Sequence, residues 1–141
     1  MAYKKIFAKW DQHLDTSRNG PMWLEQPEIA EMISIELKNN DGNLYILEAF
    51  SIMPNHVHLV ITPLSHNDEY YQLAQIMRLI KGRTARQANL LLGRQGEFWQ
   101  HESYDHVVRD VKELERIIFY VVDNPLRAGL PARWVYQRSS T

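Results

Sequence analysis

The chain has 141 residues, 45% of them apolar, with no cysteine and a formal net charge of −1. That describes one soluble domain over residues 1–141 and excludes disulfides, thiolate metal sites and cysteine nucleophiles. No charged leader with an apolar stretch opens the sequence and no apolar run approaches bilayer length, so the expected setting is cytoplasmic, with no membrane partner.

Lys4 to Trp10 reads as a first strand, followed by a loop with turn residues at Arg18-Asn19-Gly20-Pro21. Glu28 to Lys38 carries Ile29, Met32, Ile33 and Leu37 at the spacing of an amphipathic helix. Asn39 to Asn43 is a stop and turn. Leu44–Met53 and His56–Thr62 read as two strands joined by a bend at Met53-Pro54-Asn55. Tyr71–Leu92 predicts a second helix, its stripe made by Leu73, Ile76, Met77, Ile80, Thr84 and Leu91, with a bend or pause expected at Gly82. Tyr104–Val108 is a fourth strand. A third helix begins after Asp110 as N-cap, with Glu113 completing an acidic capping box. It is expected to end near Asn124-Pro125, because proline disfavours a helical residue before it.

The order β-α-β-β-α-β-α predicts an α+β, ferredoxin-like fold: an antiparallel sheet with helices packed on one face and the other face free for a site. The tail from Trp134 either packs back on the sheet or meets a partner.

Charge is unevenly distributed. Between Tyr70 and Gly96 there is no Asp or Glu, while Arg78, Lys81, Arg83, Arg86 and Arg94 give +5 and leave −6 for the rest. On helical geometry Arg78, Lys81 and Arg86 point away from the apolar stripe. The segment is either a polyanion footprint or an ordinary solvated helix face.

Two features carry chemistry. In Asn55-His56-Val57-His58-Leu59-Val60 the strand repeat puts His56 and His58 on one face, and Val57 and Leu59 on the other. Two imidazoles at this spacing supply half of a divalent-metal site, or are simply two histidines on an exposed strand. Tyr120 lies about 130° from the centre of the stripe formed by Val111, Leu114, Ile117, Ile118, Val121 and Val122, with Asn124 one turn later near the same face. It is a nucleophile or a partly buried aromatic. A phenol titrates near 10, so attack on a phosphate needs a helper, which a cation bound to the phosphate oxygen supplies.

Met53 to Val60 resembles the His-hydrophobic-His (HUH) motif of single-strand transposases. Phe98 to Asp110 and Tyr120-Val121-Val122-Asp123-Asn124-Pro125-Leu126-Arg127-Ala128-Gly129-Leu130 resemble two further motifs of REP-associated tyrosine transposases. The resemblance covers about residues 44–130. It implies that His56 and His58 bind Mg²⁺ or Mn²⁺, with Asn124 where related enzymes place a third polar ligand. Tyr120 would attack a DNA phosphate to leave a 5′-phosphotyrosine and a free 3′-hydroxyl. The implied partner is single-stranded or hairpin DNA, gripped by Arg78, Lys81, Arg83 and Arg86, and the implied state is a monomer more than a dimer. A non-catalytic, domesticated hairpin-binding protein is the alternative, and a metal-dependent hydrolase with a structural Tyr120 is a third reading.

The first loop departs from the pattern. Trp10, Met22 and Trp23 either stack on unpaired bases or pin that loop to the body, and Phe98 and Trp99 read as core. Glu48 either reaches the site from the neighbouring strand or, the favoured reading, is an exposed or paired carboxylate; His13, His66, His101 and His106 read as surface or structural residues.

Overall fold

The computed structural model describes residues 4–13, 22–66, 69–130 and 134–139. Strands β1 (Ile6–Gln12), β2 (Tyr45–Ile52), β3 (His56–Pro63), β6 (Trp99–Val107) and β7 (Val135–Gln137) form one sheet in the order β6-β1-β3-β2-β7. Every neighbouring pair is antiparallel. The first four of these strands, with helices α1 (Pro27–Asn39) and α2 (Leu73–Leu92), make the expected ferredoxin-like βαββαβ unit. A two-stranded ribbon of β4 (Ser65–His66) and β5 (Glu69–Tyr70) leads into α2. The tail pairs as β7 with the edge of β2, placing Val135 beside Ser51. The turn expected at residues 18–21 lies outside the described residues.

Alternation along the strands sorts their side chains. Ala8, Trp10, Phe50, Ile52, Val57, Leu59 and Ile61 face the main core, where they meet Ile29, Ile33 and Leu37 of α1 and Ile76, Met77 and Ile80 of α2. Gly82 does not interrupt α2, which runs unbroken to a C-cap at Gly93 with φ 64°. Leu91, expected in the stripe, is exposed, while Ala88 takes the inward position. The buried Thr84 is satisfied: its hydroxyl donates to the Ile80 carbonyl at 2.7 Å and accepts from the Trp99 indole at 2.9 Å. Thr84→Val strands that indole N–H and is expected to cost about 1–3 kcal/mol in denaturant unfolding.

The third helix, α3 (Val111–Arg127), differs from expectation in placement and length. α1 and α2 share one sheet face, but α3 lies on the opposite one. There Val121, with Leu114, Ile117 and Ile118 beside it, packs on Phe7, Ala49 and Val60. The face anticipated as free is therefore partly roofed. α3 also continues through Pro125. A proline this close to the C-terminus removes only one backbone bond, and burial of Pro125 beside Val121 holds the last turn.

Candidate active site

The site lies on the α3 side of the sheet, on its central strand. His56 and His58 project from β3 onto this face with ring centroids 4.7 Å apart. Phe7 of β1 lies 5.8 Å from the His58 ring. From above, α3 brings Tyr120 to 5.1 Å from His58, centroid to centroid. The phenol ring is 50% exposed and His58 is fully buried, so the roof is open on the tyrosine side.

Each imidazole is oriented through Nδ1. Asn55 Oδ1 lies 2.7 Å from His56 Nδ1, and Ser51 Oγ of β2 lies 3.2 Å from His58 Nδ1. The first contact places the proton on His56 Nδ1 and leaves Nε2 a lone pair. Nε2 of His58 is buried with no hydrogen-bond partner among the described residues. Burial pushes His58 down to about 3, helped by the charges of His56 and Lys9. Burial likewise lowers His56, with Lys9 in the same direction and Asp11 opposing. Both rings are therefore neutral near pH 7, the form that coordinates a metal.

An orphaned ring nitrogen beside a second neutral imidazole fits a divalent cation. It is half a coordination shell, since among the described residues no cluster of three His, Cys, Asp or Glu is placed to hold an ion. Asn124, one turn beyond Tyr120, is half-buried and its side chain makes no hydrogen bond among the described residues.

The span that holds these residues also matches a known family. Positions 25–124 fit the family described as Transposase IS200 like. The chain belongs to that IS200-like transposase family. A protein of Haemophilus influenzae named as a REP-associated tyrosine transposase is 29% identical over 90 residues, covering 57% of this chain. The match takes in 49% of that protein, so this chain spans about half the length of its curated relative. Among solved structures, a REP-associated tyrosine transposase bound to a REP hairpin superposes with a TM-score of 0.63 at 20% identity, covering 93% of this chain and 73% of that one. A crystal structure from Deinococcus radiodurans, described as a transposase, gives 0.56 at 15% identity, over 94% and 95% of the two chains. These two likenesses show the fold.

In this IS200-like chain the basic residues of α2 are not part of the imidazole site. α2 packs on the other side of the sheet, and its cations differ among themselves. Lys81 Nζ donates to the carbonyls of Gln100 at 2.8 Å and His101 at 3.2 Å, and to Ser103 Oγ at 3.1 Å. Burial lowers its pKa. Arg83 pairs with Glu36 at 3.4 Å. Arg94, just past the α2 C-cap, lies 4.2 Å over the Trp23 ring. Arg78 and Arg86 are exposed and make no ion pair among the described residues. Lys81 lies off the apolar stripe as expected, and its stem bends to β6.

The loop aromatics are structural where they are buried. Trp10 packs edge-on to Trp99, and Trp23 stacks on Phe98 at 5.1 Å; Met22 is exposed. Glu48 is paired, with Lys5 at 2.5 Å and the Thr62 hydroxyl at 2.8 Å. His13 faces Glu97 at 3.4 Å.

His106 has a partner that sequence spacing did not reveal. Its Nε2 lies 2.8 Å from Glu113 Oε1, which also accepts the Arg109 backbone N–H at 2.8 Å. Arg109 Nε donates to the other oxygen at 3.0 Å. Asp110 caps α3 as expected, accepting from the Glu113 N–H at 2.8 Å, but Glu113 reaches back to Arg109 rather than to the cap itself. One carboxylate thus latches the start of α3 to the end of β6. The Arg109 N–H, then His106, hold Glu113 down at about 2, against 4.5 ordinarily. A carboxylate depressed in the fold stabilises it above its unfolded pKa and loses that contribution as pH falls through the folded value. Stability is therefore expected to decline between about pH 4.5 and 2. Glu113→Gln should be less stable at pH 7 and decline less over that window, measured by urea midpoints at pH 7 and pH 3.

Proposed function

We propose that this chain cuts and rejoins single-stranded or hairpin DNA by tyrosine chemistry. The observation that carries the reading is the Tyr120 ring 5.1 Å from a buried imidazole whose Nε2 has no partner among the described residues. The solved relative with a bound REP hairpin supports a hairpin as the partner, and the family supports a transposase role.

The phenol oxygen of Tyr120 attacks a DNA phosphorus. An O–P bond to tyrosine forms, the P–O3′ bond breaks, and the departing oxygen takes a proton as a 3′-hydroxyl. The strand downstream of the cut stays on Tyr120 through its 5′-phosphate, and attack by a 3′-hydroxyl reverses the step to rejoin strands. His56, His58 and Asn124 would hold Mg²⁺ or Mn²⁺, which when bound would withdraw charge from the phosphate. Ser51 and Asn55 hold the two rings in register, and the Val121 contact seats α3 so that Tyr120 stands over them. Arg78 and Arg86 remain available to phosphates of a duplex stem reaching the far side of the sheet; Lys81 and Arg83 act there only if their present bonds open.

The test is a covalent protein–DNA band on a denaturing gel after incubation with hairpin DNA and Mn²⁺. A band that requires the metal and disappears in His56→Ala supports the reading. Hairpin binding with no band under any metal condition overturns it in favour of the non-catalytic alternative.

A further inference from the structure

Beyond the residues that would react, the site face continues toward the sheet edge. In the β1–β3 register Lys9 stands directly opposite His58, and in the β1–β6 register it stands opposite Tyr104. His58, Lys9 and Tyr104 thus form one row across three strands, on one face of the pleat. The rings beside this row are continuous. Tyr120 is 5.1 Å from His58, His58 is 5.8 Å from Phe7, and Phe7 is 6.0 Å from Tyr104. Tyr104 is 58% exposed and its hydroxyl has no hydrogen-bond partner among the described residues.

Structural duty accounts for Phe7, which lies under α3. It does not account for Tyr104, whose ring meets Phe7 edge-on and is more than half exposed. Among the described residues Lys9 makes one ion pair, a 3.9 Å contact with Asp11, and both side chains are partly exposed. A flat aromatic face beside a loosely held cation, continuous with a phosphate-reacting site, has the chemistry of a single-strand binding step.

We infer that Tyr104 and Lys9 form a subsite for the unpaired DNA flanking the reacting phosphate: Tyr104 stacks a base and Lys9 meets a backbone phosphate. The inference rests on the strand-cutting reading for the strand's position. It adds a direction, with the flank leaving the imidazoles across β1 toward β6. The row spans two strand spacings, about 10 Å, so the stacked base belongs to a near neighbour of the reacting phosphate.

Binding is read by fluorescence anisotropy with the full chain and two labelled DNA hairpins, one blunt and one with an unpaired flank. Tyr104→Ala is expected to weaken the flanked hairpin about tenfold and leave the blunt one unchanged, as loss of one stacked base predicts. Tyr104→Phe keeps the stacking face and should bind as the parent. Lys9→Gln should reduce the salt dependence on the flanked hairpin by about one phosphate contact. Equal affinity of Tyr104→Ala and the parent for the flanked hairpin overturns the inference, as does an equal loss on both hairpins. A thermal melt run alongside confirms that the variants are folded. The adduct gel reports separately: flank-specific loss without any adduct retains the subsite and removes the cutting, and an adduct without flank-specific loss does the reverse.

Discussion

Tyr120→Phe is expected to abolish the covalent DNA adduct and to reduce strand cleavage by at least ~10⁴-fold, the scale on which enzymes lose rate when their nucleophile is deleted. The substitution removes one oxygen from a half-exposed ring and leaves its contact with His58 intact, so folding should be unaffected. Stability, hairpin affinity and cleavage then separate cleanly. Cleavage that persists in Tyr120→Phe at the parent rate would assign the chemistry to a water nucleophile and the tyrosine to packing. His58→Ala provides the complementary measurement, since it removes the orphaned nitrogen while leaving the phenol in place.

Phe50→Ala carries the largest expected effect on stability. Phe50 is fully buried in β2, paired with Leu59 of β3 on one side and with Tyr136 of β7 on the other. Its ring stacks on Tyr136 with centroids 5.6 Å apart. Truncating such a ring costs about 3–5 kcal/mol, which for a chain of this size lowers Tm by roughly 10–20 °C. A loss below about 1 kcal/mol would mean that the tail does not seat on the sheet and that this part of the core can collapse around the gap.

The central geometry of the site was legible because strand alternation is rigid. Once Val57 and Leu59 are inward, His56 and His58 have only one face to occupy. The helical stripe likewise placed Tyr120 to the side of the core direction. Periodicity says which residues point inward, however, and not which of two sheet faces a helix will cover. That is why α3 was expected beside α1 and α2, and why the α2 cations could not be placed relative to the imidazoles. The row His58–Lys9–Tyr104 was invisible for a related reason, since it depends on register between strands far apart in sequence. The bonds of Lys81 to β6 and the His106–Glu113 pair were not foreseen because side chains bend to partners that only the tertiary arrangement brings near. Pro125 misled through a local rule that burial of its ring outweighed.

The open margin of the sheet has a consequence for how the molecule behaves in solution. β6 is an edge strand, and its register slips between the positions facing Trp10 and Gln12. Over the same stretch the Lys81 ammonium sits on the carbonyls of Gln100 and His101. A kinked margin with two neighbouring acceptors already occupied makes a poorer template for a foreign strand over that stretch. The bond that withdraws Lys81 from the exposed cations of α2 thereby guards the protein against strand-by-strand aggregation.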